Sequence, residues 1–423
     1  MEPVKRPLQG ELTVPGDKSI GHRAVIFAAI ANGTSRIANL SGGEDNHSTI
    51  EAFKTLGVKI SGDDRLLRIE GKGFEGLAAP KNTIDCGNSG TTMRLLAGIV
   101  AGLHFVSTLD GDSSLRRRPM KRIAEPLEKM GARIESSDGR APLNIHGGAL
   151  KGIRYATPVA SAQVKSAILL AGLQAEGVTT VDEPQQSRDH TEIMARALGA
   201  KLEARGNTVS VEGGHKLVPM DISVPGDLSS AAFFMAASAM IPGSDVVLRG
   251  VGCNPTRAGV IDILRRMGAS IEMLDQSTAA GEPVADIRVC GTKLKGIDIG
   301  PEMVARTIDE YPILAVAAAL AQGVTAICGA RELRYKESDR IAVMTEQLRR
   351  LGVDVEERDD GMIIEGCGRL KGAAVQSAGD HRVAMSLAVA GLCADGGVEI
   401  DDTACADISF PGFFRMLERI AGA

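Results

Sequence analysis

Tryptophan is absent from this 423-residue chain, and the aromatic share is only 3%. Without a platform of rings on which bases can stack, a surface for single-stranded nucleic acid is excluded. Basic excess is missing too, since 48 Lys and Arg face 53 Asp and Glu for a net charge of −5. A broad phosphate-backbone surface would be basic. The seven cysteines (Cys86, Cys253, Cys290, Cys328, Cys367, Cys393, Cys405) contain no C-x-x-C pair. They read as reduced cytosolic thiols. The seven histidines show no metal-ligand spacing to one another or to cysteine, so no metal is expected. "GDKS" lacks the G-x-x-x-x-G-K-[ST] spacing of a nucleoside-triphosphate loop, and no G-x-S-x-G occurs. No apolar run spans a membrane, because even "AAFFMAASAMI" stops at Pro242. The first residues, "MEPVKRPLQGELTV", lack the apolar core of a signal peptide. A cytoplasmic protein with no nucleic-acid or membrane partner is the expectation.

Small and apolar residues are what the chain has in quantity, with 44% hydrophobic residues and 50 glycines. Its length exceeds one ordinary core and implies two domains. Five segments share one pattern: "FKTLGVKI", "LEKMGARI", "ARALGAKL", "LRRMGASI" and "LRRLGVDV". Their glycines, Gly57, Gly131, Gly199, Gly268 and Gly352, are 68 to 84 residues apart. Each reads as an amphipathic helix stopped by a C′ glycine and followed by a strand. A shortened sixth, "LERIAGA", closes the sequence. Between them recur "GDKSIGHRAVIFAA", "GNSGTTMRLLAGIVAG", "SAQVKSAILLAGLQA", "GDLSSAAFFMAASAM", "DEYPILAVAAALAQG" and "GDHRVAMSLAVAGLCA". These begin polar and turn apolar nearly all round, the mark of a buried helix. The prediction is an α/β chain of six units of about 70 residues. Grouped in threes, they form two similar domains with buried helices inside and sheets outside.

Parallel buried helices would bring their polar starts to one face, where free N–H groups suit anions. Each such end contributes about 0.3–1 kcal/mol, against about 1.5–3 kcal/mol for a charged hydrogen bond. The basic residues at those starts therefore matter more. Lys18 and Arg23 lie in the first, Arg94 in the second, Gln163 and Lys165 in the third and Arg382 in the sixth; Arg118 precedes Pro119. "RELRYKESDR" packs Lys336, Glu337, Asp339 and Arg340 into five positions. Any one of these alone is an ordinary solvated charge. Together they form a basic site, in which Asp309 and Glu337 are candidate acid–base groups. Asp309 as a helix N-cap and Glu337 as a partner of Arg340 are the structural alternatives.

The motifs "PGDKSIGHR", "GNSGTTMR", "RRRPM", "ASAQVKSA", "SRDHTE", "TIDEYP", "RELRYKESDR" and "GDHRVAM" run the length of the chain. In that order the sequence resembles the 3-phosphoshikimate 1-carboxyvinyltransferase (EPSP synthase) family. The resemblance implies transfer of the enolpyruvyl group of phosphoenolpyruvate to the 5-hydroxyl of shikimate 3-phosphate. It implies no metal or organic cofactor, with a monomer the simplest state. It also implies an inside-out α/β barrel, with three βαβαββ-type repeats per domain and substrates held between the domains. The domains would be 18–229 and 1–17 plus 230–423, hinged near 14–18 and 224–230. Carried over motif by motif, Lys18, Ser19, Arg23, Ser161, Ala162, Gln163, Ser187, Asp309 and Lys336 would meet shikimate 3-phosphate. Lys18, Gly90, Arg118, Gln163, Arg340 and Arg382 would meet phosphoenolpyruvate. Asp309 would take the proton of the attacking hydroxyl, and Glu337 and Lys18 are the candidates for protonating the methylene carbon. With Gly90 retained, glyphosate is expected to compete with phosphoenolpyruvate.

Three departures from the family pattern stand out. Ile408 occupies a position where many relatives carry lysine, Leu95 one where many carry proline, and His190 one near which some carry tyrosine. The sister family acting on UDP-N-acetylglucosamine uses a loop cysteine, and "LDGDSSLRRRPM" has none. A non-catalytic repeat scaffold that binds a ligand is the remaining rival, disfavoured by Asp309, Glu337 and Lys336.

Overall fold

A helix that is apolar on every side needs cover on every side, and among the described residues six helices are of that kind. They are Lys18–Ile30, Gly90–Val100, Ala162–Gly172, Leu228–Met240, Tyr311–Leu320 and His381–Leu392. The structure, a computed structural model, describes residues 1–4 and 6–422. All thirteen residues of Leu228–Met240 and all twelve of His381–Leu392 are buried. The chain divides into two compact units. The first comprises Gly16–Val224 with Thr278–Glu282, and the second Met1–Pro15, Pro225–Ser277 and Pro283–Ala423.

In the second and third repeats of the first unit the buried helix joins two parallel strands, and a second helix then leads into an antiparallel hairpin. The middle repeat shows this plainly. Strand Ile84–Asp85 pairs parallel with Val106–Asp110, and the latter pairs antiparallel with Arg140–His146, which is flanked by Arg133–Ser137. Three four-stranded sheets of this type enclose one core. The first of them takes its opening strand, Ile222–Ser223, from the far end of the unit, parallel to Asn32–Ala38.

The second unit follows the same plan with its own core. Its first sheet opens with Gln9–Leu12, parallel to Asp245–Gly252. Its last repeat has only the short parallel pairs Leu370–Lys371 with Ala394–Asp395 and Ala374–Val375 with Glu399–Ile400. The helix Phe413–Ala421 follows in place of a hairpin, and Phe410 and Phe413 pack on Phe233 and Phe234 at ring separations of 5.5 to 6.1 Å. Such rings bury large apolar areas, so the few aromatics are concentrated where a sheet is missing.

Two sets of glycines hold this plan together. Gly57, Gly131, Gly199, Gly268 and Gly352 all have left-handed φ, between 84° and 118°. That is the C′ conformation expected of a helix stop, where only glycine is free of a Cβ penalty. The second set did not stand out in the sequence. A Cβ on Gly71, Gly147, Gly213, Gly291 or Gly366 would lie between 1.9 and 2.2 Å from a carbonyl oxygen in the last turn of a buried helix or in the one to three residues after it. At these points a hairpin strand crosses the helix end at backbone contact distance. Gly98 does the same between helices, since a Cβ there would lie 2.2 Å from the Ala167 oxygen.

Adjacent glycines provide the test. Gly147→Ala would press a methyl group 2.0 Å from Leu103 O, while at Gly148 nothing lies within 4 Å. We expect Gly147→Ala to cost roughly 3 kcal/mol or more and Gly148→Ala to stay within about 0.5 kcal/mol, measured by urea unfolding.

Candidate active site

The motif V-P-G-D occurs twice, and the structure shows what it does in each unit. A Cβ on Gly16 would lie 1.9 Å from Asn39 O, and one on Gly226 3.0 Å from a Val14 methyl. The aspartates cap the helices that follow: Asp17 accepts from Ile20 N at 2.9 Å, and Asp227 from Ser229 N at 2.7 Å. These residues build the turn, and the charges come afterwards.

In the first unit Lys18 opens its helix with Nζ 2.7 Å from Asp45 Oδ2. Arg23 is buried one turn later. Its Nε donates to Thr191 Oγ1 at 2.6 Å, Nη1 to the Ser19 carbonyl at 2.9 Å and Nη2 to Ser166 Oγ at 2.7 Å. Burial pulls its pKa down to about 10, opposed by the charges of Glu192, Asp17 and Glu282, so it remains a cation at neutral pH. His22 lies beside it with Nδ1 2.6 Å from Thr49 Oγ1. Burial pushes His22 down to about 3, with help from Lys18 and Arg23 against the opposing charge of Asp45. It is therefore neutral.

The other two buried helices of this unit meet at their first turns. Arg94 Nη1 donates to Gln163 Oε1 at 2.6 Å, and Gln163 Nε2 donates to Thr91 Oγ1 at 2.8 Å. Arg118 donates to Asn88 Oδ1 at 2.6 Å. Gly90 lies between these groups, since a Cβ there would be 2.8 Å from Arg94 Nη1 and 3.2 Å from Arg118 Nη1. Ser161 is the N-cap of Ala162–Gly172, and the Ser187 hydroxyl donates to Glu183 Oε1. Lys165 turns away from this group. Its Nζ is 2.7 Å from both Glu183 and Glu192, with about 1% of the side chain exposed. It serves a buried ion triad, so the structure removes it from the candidate anion-binding cations.

In the second unit, Asp309 Oδ1 is 3.9 Å from Lys336 Nζ and 3.7 Å from Arg340 Nη1, and its Oδ2 is 3.9 Å from Arg382 Nη2. Asp309 is not a side-chain cap: the N-cap position of Tyr311–Leu320 is Glu310, which makes no cap hydrogen bond. Glu337 does partner Arg340, at 2.7 Å. Arg340, 1% exposed, also donates to Asp380 Oδ2 at 2.8 Å. Burial alone would weaken this guanidinium as an acid–base partner, but Asp380, Glu337 and Asp309 raise its pKa overall. Burial likewise works against the Asp380 carboxylate, and Arg340 holds its pKa below the usual range. Asp380 also caps His381–Leu392 by accepting from Arg382 N at 2.9 Å. One carboxylate thus fixes two of the three cations around Asp309. Of the three departures, Ile408 is half-buried on the turn Ala404–Ile408, Leu95 is wholly buried, and His190 Nδ1 lies 2.8 Å from Glu282.

The sequence reading missed Arg257. It is buried, with Nη2 2.8 Å from Asp227 Oδ1 and 2.7 Å from Ser229 Oγ. It supplies a cation at the second V-P-G-D turn, whose own helix carries none. Only a contact across 30 residues reveals it. Among the described residues no group of three or more His, Cys, Asp or Glu side chains is placed to hold a metal ion. None of the described helices is long and apolar enough to cross a membrane.

Comparison with known proteins fits this geometry. The profile of the family described as EPSP synthase (3-phosphoshikimate 1-carboxyvinyltransferase) matches residues 3–417. A 3-phosphoshikimate 1-carboxyvinyltransferase of Geobacter sulfurreducens is 54% identical over 418 residues, covering 98% of this chain and 97% of the relative. One from Bacillus thuringiensis is 51% identical over 426 residues, covering 100% and 99%. A solved EPSP synthase from Acinetobacter baumannii superposes with a TM-score of 0.90 at 48% identity, covering 99% of this chain and 97% of that one. The enolpyruvyl transferase NikO from Streptomyces tendae shares the fold, with a TM-score of 0.80 at 18% identity over 99% and 96% of the two chains.

His22 gives a pH prediction for the first unit. Its folded pKa is depressed to about 3, so between that value and the unfolded value near 6.5 only the unfolded chain binds the proton. Stability from this group is therefore full above about pH 6.5 and falls by roughly 1.4 kcal/mol per unit as the pH drops below it. In histidine-labelled protein the His22 ring resonances should not titrate between pH 5 and 8. A titration midpoint near 6.5 would contradict this.

Proposed function

The chain belongs to the EPSP synthase family, and from that premise we propose that it transfers the enolpyruvyl group of phosphoenolpyruvate to the 5-hydroxyl of shikimate 3-phosphate, releasing phosphate. The observation that carries this reading is Asp309, a carboxylate with Lys336, Arg340 and Arg382 all within 4 Å. Surrounding cations favour its charged form, which is the form a base requires.

Both substrates are anions, and each unit supplies cations for them. Lys18, Ser19, Arg23, Ser161, Gln163 and Ser187 bind shikimate 3-phosphate, with Ala162 contributing backbone, while Asp309 and Lys336 hold the ring hydroxyls. Lys18, Arg118, Gln163, Arg340 and Arg382 clamp phosphoenolpyruvate, which approaches the backbone at Gly90. Arginines suit this clamp because a guanidinium grips carboxylate or phosphate with two parallel hydrogen bonds. Ile408 cannot supply the charge that a lysine would, so the clamp relies on the remaining cations.

In the addition step the 5-oxygen bonds to C2 of phosphoenolpyruvate and gives its proton to Asp309. C3 takes a proton, from Lys18 or Glu337, to become a methyl group. In the elimination step the C2–O bond to phosphate breaks, C3 loses a proton back to that group, and the enol ether and phosphate leave. Holding both reactants in register is a large part of the acceleration. On this reading the enzyme works as a cytoplasmic monomer.

Phosphate release should require both substrates, and UDP-N-acetylglucosamine should not replace shikimate 3-phosphate. Asp309→Ala should lower kcat by about 10²–10⁴-fold while shikimate 3-phosphate binding stays measurable by calorimetry. Unchanged turnover would remove Asp309 as the base. Gly90→Ala brings a methyl group against the flexible ends of Arg94 and Arg118, so the fold should persist. We expect its KM for phosphoenolpyruvate to rise about tenfold, a loss of about 1.4 kcal/mol, with KM for shikimate 3-phosphate little changed. Glyphosate should compete with phosphoenolpyruvate in the parent enzyme and inhibit this variant less.

A further inference from the structure

Asp309 lies between the short helix Val304–Thr307 and the buried helix Tyr311–Leu320. Its distances to three cations depend on where the backbone holds it, and that backbone is anchored on both sides. On one side Arg306 donates Nε to the Pro255 carbonyl at 2.8 Å and pairs with Asp262 at 2.7 Å. On the other is Glu310, 1% exposed, whose Oε1 accepts from the Ser229 hydroxyl. Ser229 in turn accepts from Arg257 Nη2 at 2.7 Å, and the same Nη2 donates to Asp227 at 2.8 Å. The roles are consistent, since a serine hydroxyl donates once and accepts on its lone pairs.

This chain of contacts has a cost that a helix start does not require. Burying a carboxylate is expensive unless it is paired and hydrogen-bonded, and Glu310 makes no side-chain cap hydrogen bond in return. A solvated residue would open the helix as well. What the buried network adds is a fixed tie between the residue next to Asp309 and the capped start of Leu228–Met240. We propose that Glu310, held by Ser229 and Arg257, is a positioning residue that sets the Asp309 carboxylate among its cations. The proposal deepens the reading of Asp309 as the base and rests on it.

The test uses the full-length protein carrying Glu310→Ala, Glu310→Gln, Ser229→Ala or Asp309→Ala, with kcat, KM and pH profiles measured per folded molecule. Glu310→Ala and Ser229→Ala should lower kcat by about 10–100-fold, as misplacement of about 1 Å does. KM for phosphoenolpyruvate should stay within about threefold, because the cations that clamp it are untouched. The acid limb of the kcat profile should move to higher pH as the carboxylate withdraws from its cations. Glu310→Gln, which still accepts the hydrogen bond from Ser229, should restore most of the rate. Should Glu310→Ala not fold, Ser229→Ala decides the question. Parent-like kcat and pH profiles in the folded variants, with only a lowered Tm, would overturn the positioning role. If Asp309→Ala is inactive in that case, the base assignment survives. An active Asp309→Ala would instead overturn that assignment itself.

Discussion

A helix that is apolar on every side has only its ends free for chemistry. The six buried helices obey this constraint, and the rest of the molecule follows from it. Their sides are spent on packing, so the unpaired N–H groups of the first turn become the polar feature of each unit. Side chains satisfy part of that turn, namely Asp17, Ser89, Ser161, Asp227 and Asp380. Capping of this kind is worth about 1 kcal/mol each, and it also fixes where the next residues point. Lys18, Gly90, Gln163 and Arg382 all lie within the first two residues of a buried helix. At the opposite ends of five of the six, a glycine in or next to a hairpin strand packs onto carbonyls at or just beyond the end of the helix.

Charges placed at such ends must be paid for by partners, and the pairing divides the cations into two kinds. Lys165 is consumed by Glu183 and Glu192 within the first unit, and Arg257 by the Asp227 and Ser229 contacts in the second. Lys336, Arg340 and Arg382 instead converge on Asp309 at 3.7 to 3.9 Å. Removing one member of a buried pair typically costs about 3–5 kcal/mol, so Asp380 matters to the fold as well as to the site. In the proposed function the same residues serve catalysis and stability. The Asp380 carboxylate that starts the sixth buried helix is also the one that orients Arg340.

Much of the site could be read from residue order, because its motifs are local. "GDKSIGHR", "TIDEYP" and "RELRYKESDR" each place several functional groups within a few positions. The C′ glycines were legible for the same reason, since a helix stop is written in the adjacent residues. Asp309 as a cap was a local alternative that the structure removes, and Glu337 as a partner of Arg340 was one that it keeps. Arg257 and Glu310 were not legible. Their roles arise from contacts with Asp227 and Ser229 at separations of 28 to 81 residues.

The sequence by itself determined the repeat, the buried and exposed helices, their stops and the family motifs, because all of these depend on periodicity and near neighbours. Tertiary structure alone decided which lysine is buried in a triad, which carboxylate is ringed by cations and which glycines admit no side chain. Those outcomes depend on distances between segments far apart in the chain. A residue type at a given position carries no record of such distances until the helices and sheets are packed.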